Sequence, residues 1–139
     1  FYKNQNFLQI VLIVTFFSIV FFIIFYSYKE YENNKKLKLL ENGIRFKNKF
    51  IELEELSIAI IRMVEREEAE LSKVYDLVKK NHLSKIQNER IKNQFIDQIN
   101  MKLSVLTGEK EDFLIVSKSS FDKRYKTISI NKSIFGKLF

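Results

Sequence analysis

The sequence predicts a mainly α-helical protein. One N-terminal transmembrane helix continues into a long helical, coiled-coil-like region, and a short basic tail of open, β or extended, structure ends the chain. Three observations carry this expectation. Residues Phe7 to Tyr26, FLQIVLIVTFFSIVFFIIFY, contain no charge. Apolar residues from Phe46 to Val78 recur at intervals of three and four. Pro is absent and Gly occurs only three times, at Gly43, Gly108 and Gly136, so little interrupts helical backbone. The chain divides on this reading into an anchor over residues 1–28, a helical region over 29–106 with a break near 81–84, and a tail over 107–139.

The anchor comes first. A helix rises about 1.5 Å per residue, so the stretch Phe7–Tyr26 matches a hydrocarbon core of roughly 30 Å. It is longer than the apolar part of a signal peptide, and no small-residue cleavage site follows, so it is expected to be retained. Gln9, Thr15 and Ser18 are its only polar residues, and all are neutral. An ion or proton path along this helix alone is therefore not expected, and no Gly-xxx-Gly pair recommends tight self-association. Tyr26, Tyr28 and Tyr31 suit an aromatic belt, with Tyr2 as counterpart. Lys29, Lys35, Lys36, Lys38 and Arg45 follow the span, whereas Lys3 alone precedes it. The positive-inside rule then puts the C-terminal region in the cytoplasm, or in the equivalent matrix of an organelle.

From Lys29 to about Lys80 the pattern reads as helix. Phe46, Phe50, Leu53, Ser57, Ile60, Val64, Glu67, Leu71, Val74 and Val78 form a heptad-like seam, which Ile58, Ile61 and Met63 widen. A wide face suits several partners better than a strict two-stranded coil. Gly43 is expected to mark a bend. Asn81-His82-Leu83-Ser84 reads as punctuation, and Ser84 with Gln87 has capping-box spacing. Ile91, Phe95, Ile99, Leu103 and Leu106 then share a face, giving a second helix from Lys85 to Leu106 that stops at Thr107-Gly108. A hairpin of the two helices and a kinked continuation both remain open.

Beyond Gly108 the residues become β-prone at Phe113–Val116 and again at Tyr125–Ile130. A small hairpin around Ser117–Ser120 and an extended tail on a partner are both compatible, and neither piece makes a stable sheet alone. From Lys118 to the end there are six Lys or Arg and one Asp, a net +5, against +2 for the rest of the chain. Anionic lipid or an acidic protein surface ranks ahead of nucleic acid as the partner of this tail, given the anchor.

No catalytic, cofactor or metal constellation emerges. Cys is absent, which excludes disulfides and thiolate metal sites. His82 has no partner at ligand spacing. Glu65, Glu67, Glu68 and Glu70 read as a solvated helix face and not as a calcium loop. Thr107-Gly108-Glu109-Lys110 lacks the earlier Gly and the following Ser or Thr of a phosphate loop. Abundant Phe, Ile, Lys and Asn beside only two Ala point to an AT-rich coding genome, organellar or low-GC bacterial.

The layout resembles subunit b of F-type ATP synthases, above all the mitochondrially encoded forms. The span Phe7–Tyr26, the basic exit Lys29–Lys38 and the polar helix Arg45–Leu106 carry the resemblance, together with Gln98-Ile-Asn-Met-Lys-Leu-Ser-Val-Leu106. It implies a non-catalytic stator subunit of an energy-transducing membrane, the mitochondrial inner or bacterial plasma membrane. Its helix, about 60–80 residues long, would reach roughly 90–120 Å and contact other subunits. Two competing readings are an accessory subunit of a respiratory or other membrane complex and the start of a bacterial sensor or chemoreceptor. The seam is expected to need partners, so a soluble piece from Lys29 onward should aggregate or be partly ordered.

Overall fold

The computed structural model describes residues 2–136, with side chains from residue 4 onward. The side chain of Tyr2, expected in the aromatic belt, and the tail residue Lys137 lie outside the described residues. The chain forms two compact units, Phe1–Lys35 and Lys36–Phe139.

The first unit is helix α1, Tyr2–Asn34. Its stretch Asn4–Asn34 is long and apolar enough to cross a bilayer, with a mean hydropathy of 2.9 in its most apolar part. At about 1.5 Å per residue the whole helix is roughly 50 Å long. Its Phe, Ile and Leu side chains from Phe7 onward are all exposed, as are Val11 and Val14. The two hydroxyls are satisfied inside the helix: Thr15 donates to the Val11 carbonyl at 2.6 Å and Ser18 to the Val14 carbonyl at 2.9 Å. Such bonds to the preceding turn leave no hydroxyl for lipid to desolvate unpaired. Near its end Tyr28 donates to Glu32, and the Lys35 ammonium sits 4.3 Å from the centroid of the Tyr31 ring.

The expected helix from Lys29 to Lys80 does not continue past Asn34. A three-stranded meander follows instead: β1 (Leu37–Leu39), β2 (Gly43–Phe46) and β3 (Lys49–Glu52), paired antiparallel in that order. Leu37 faces Phe46, and Gly43 faces Glu52. Leu37, Ile44 and Phe46 point inward with the period of two that strands require. Phe46 also fits the helical seam, and the turn decides between the two: Lys47 adopts a φ of 54° in the two-residue turn between β2 and β3. Gly43 is no helix bend; it opens a strand whose neighbour comes so close that a Cβ there would lie 2.2 Å from the Ile51 carbonyl oxygen.

The rest of the unit is helix α2 (Glu55–Glu65), strand β4 (Ala69–Glu70), helices α3 (Leu71–Val78) and α4 (Lys85–Thr107), strands β5 (Leu114–Lys118) and β6 (Lys126–Ile130), and the short helix α5 (Lys132–Phe135). Strand β6 lies between β4 and β5, antiparallel to both. In order these elements are a helix, a strand, two helices joined by a turn, and a hairpin whose tip is the β5–β6 loop. The tail is thus a hairpin, and β4 supplies the third strand that two strands alone would lack. Its loop runs over Ser119–Tyr125, longer than the turn expected near Ser117–Ser120.

Helix α4 forms where the sequence places it. Ser84 and Gln87 make both bonds of the capping box, and Gly108 ends the helix in the left-handed conformation, φ 77°. The core is continuous across the unit and includes Ile60, Ile61, Val64, Val74, Ile99, Leu103, Phe113, Ile128 and Phe135. The rings of Phe113 and Phe135 meet edge to face at 5.1 Å. No coiled coil forms. The seam residues Phe46, Leu53, Ser57, Ile60, Val64, Val74 and Val78 are buried within this unit, whereas Phe50 and Glu67 are exposed. Among the described residues the longest helix after α1 is α4, of 23 residues.

Candidate nucleic-acid interface

The helix–turn–helix is fixed by one buried amide. Between α3 and α4 the chain turns over Lys79–Ser84. Asn88, buried on α4, accepts from the Lys80 amide at 2.8 Å and donates to the carbonyls of Lys80 and Leu83. A six-residue connection therefore behaves as a rigid corner, because its backbone groups are held by a side chain of the helix it introduces. Asn100 does the same one level down. It accepts from the Leu114 amide at 2.7 Å and donates to the Leu114 carbonyl at 3.1 Å, which pins the start of β5 to α4.

The hairpin loop is tied down in turn by Glu68. Its carboxylate accepts from Ser120 at 2.9 Å and from Thr127 at 3.3 Å. Within the loop, Ser119 donates its amide to the Tyr125 carbonyl, and the Asp122 carboxylate accepts from the backbone and guanidinium of Arg124. The Arg124 guanidinium, and next its backbone amide, hold the Asp122 carboxyl below its ordinary value.

These supports bring cations from separate elements to one cleft of about 340 Å³. Lys85 and Lys92 of α4 line it, with Arg124 and Lys126 of the hairpin, and with Ser72 and Tyr75 of α3. Glu70 and Glu89 are its acids. The Lys92 side chain is only 7 % exposed and is paired with Glu89 one turn earlier. In the ladder Lys118 stands directly opposite Lys126. Like charges across a sheet destabilise it, and a polyanion would relieve that repulsion. At the turn, the side-chain bond to Asp76 and its charge raise the Lys79 pKa. On α4, Arg90, Asn93 and Gln94 are exposed and turned away from the core.

The residues weighed from the sequence fall mostly outside this cleft. His82 is exposed in the α3–α4 turn, and Thr107-Gly108 is the cap of α4. The four glutamates do not share a helix face. Glu65 ends α2, Glu67 is exposed after it, Glu68 anchors the hairpin loop and Glu70 lies in β4 beside the cleft. Among the described residues no three His, Cys, Asp or Glu converge as a metal site. The basic tail does contribute, through Arg124 and Lys126. Asn88, Asn100 and Glu68 carried no signal of their own in the sequence, because each acts on residues between 5 and 59 positions away. No protein-family model, curated protein or solved structure matches the chain.

Proposed function

We propose that this chain is a membrane-anchored protein that binds double-stranded DNA through α3, α4 and the β5–β6 loop, without catalysing a reaction on it. The observation that carries the reading is the cleft in which lysines of α4 meet Arg124 and Lys126 of the hairpin, beside a helix–turn–helix. In that motif the second helix enters the major groove, which is wide enough in B-form DNA and too narrow in A-form RNA. Helix α4 offers Arg90, Asn93 and Gln94, side chains that pair with guanine and adenine edges. Lys85, Lys123, Arg124 and Lys126 are the phosphate contacts that set register and affinity. The basic flank after α1 supports a location on the cytoplasmic or matrix side, where DNA is accessible. Digestion of the Lys36–Phe139 unit from outside sealed vesicles would overturn that placement.

The test is duplex binding by the full chain in nanodiscs of zwitterionic lipid, titrated with salt. Wild-type affinity is expected to fall steeply as salt rises, with a log–log slope of about −0.9 per phosphate contact. The double variant Lys123→Ala, Lys126→Ala should weaken binding to every sequence and flatten that slope by roughly two. Arg90→Ala should cost about 1–3 kcal/mol at one base position and leave the slope nearly unchanged. Absence of salt-dependent duplex binding sinks the proposal.

A second reading keeps the chain as an accessory subunit of a membrane complex. The outward apolar surface of α1 favours it, with the hairpin cations meeting an acidic protein surface or anionic lipid. Gentle purification from the native membrane separates the two. A stable membrane partner, recovered from a protein that ignores duplexes, supports this second reading.

A further inference from the structure

Phe121, at the tip of the β5–β6 loop, is 95 % exposed. An aromatic side chain so bare forfeits the hydrophobic gain of burial, and nothing in the loop covers it. The loop does not leave it there by looseness. Ser119 Oγ accepts from the Phe121 amide at 3.2 Å and from the Asp122 amide at 3.4 Å. The Tyr125 amide donates to the Asp122 carbonyl at 3.0 Å, and Ser120 is bonded to Glu68 beneath. The backbone that carries the ring is therefore bonded on both sides of it, which lowers the entropy the loop would lose when something covers the ring.

Its surroundings say what would cover it. Lys118 and Lys126 stand across the ladder below the tip, Lys123 follows it in the loop, and Asp122 and Arg124 pair with each other. An apolar projection ringed by cations fits the minor groove of a duplex, where two phosphate rims flank stacked bases. Proteins that bind there insert such side chains between base steps and kink the DNA. An anionic bilayer offers similar charge, but the exposed Arg90, Asn93 and Gln94 of the adjoining helix α4 have no use for it.

We infer that Phe121 is a minor-groove wedge, which unstacks a base step while α4 occupies the neighbouring major groove. This rests on the DNA-binding reading above. The experiment uses the full chain in zwitterionic nanodiscs with end-labelled duplexes of mixed sequence rich in flexible TA steps. It reads affinity by anisotropy and bending by end-to-end energy transfer. Wild type and Phe121→Leu should raise the transfer, and Phe121→Ala should bind with the same salt slope yet lose that rise. A Phe121→Ala protein that bends the duplex as wild type does overturns the wedge and leaves DNA binding intact. So does one that bends normally but no longer binds phosphatidylserine vesicles, which would make the occupant a membrane. A wild-type chain that binds no duplex overturns both inferences.

Discussion

The two units of this chain use apolar residues in opposite senses. In α1 nearly all of them are exposed, and the hydroxyls of Thr15 and Ser18 bond one turn back. In Lys36–Phe139 the apolar residues turn inward, and the polar side chains that matter reach across the sequence: Asn88 to the turn, Asn100 to β5, Glu68 to the hairpin. The first arrangement leaves hydrocarbon exposed along a helix long and apolar enough to cross a bilayer. The second carries its own core. The difference teaches that stability in this chain is local in the span and collective in the globular unit.

The sharpest way to break that comparison is to remove the same kind of group from each unit. Ile99→Ala, at a fully buried site, should cost about 2–5 kcal/mol of unfolding free energy, measured by denaturant titration of the Lys36–Phe139 transition. Leu12→Ala, on the outward face of α1, should leave that transition where it was. A shift of similar size from both would mean that the units do not unfold separately. A smaller effect probes the collective polar bonds. Asn88→Ala leaves the Lys80 amide and the Leu83 carbonyl short of a partner, and should cost about 1–3 kcal/mol and loosen the α3–α4 turn. Hydrogen exchange of the Lys80 amide reads this directly, and unchanged protection would show that the corner is held by something other than Asn88.

The mildest test concerns the hairpin loop. Its Arg124 partner holds the Asp122 carboxyl below its ordinary value. A depressed folded-state pKa means that the stabilisation is present above the ordinary carboxylate range and is lost as pH falls through the folded value. The loop amides, followed by NMR, should therefore stay ordered down to pH values below a normal aspartate titration, and then change together. At this exposed pair the gain is small and salt-sensitive. Asp122→Asn should abolish the pH step; a step that persists would assign it to another group.

Much of the molecule was legible in residue order because the deciding physics was short-range. The charge-free length Phe7–Tyr26 gave the long apolar helix, the Ser84–Gln87 spacing gave the start of α4, and Gly108 gave its end. The region between them was not legible in the same way. Phe46, Phe50 and Leu53 fit a helical spacing, and only the pairing of Gly43 against Glu52 and Leu37 against Phe46 selects strands there. Once the meander forms, the apolar face that looked like a seam for foreign helices closes on α2, α3 and α4 of the same unit. The cleft was hidden for the same reason: Lys85, Lys92, Arg124 and Lys126 are ordinary charges in the sequence, and they become neighbours only through the pairing of β6 with β4 and β5. Sequence alone determined where this chain is apolar and where α4 begins and ends, since helix length and caps depend on neighbouring residues. Tertiary structure decided which face is covered and which cations meet, since those depend on contacts between residues far apart in the chain.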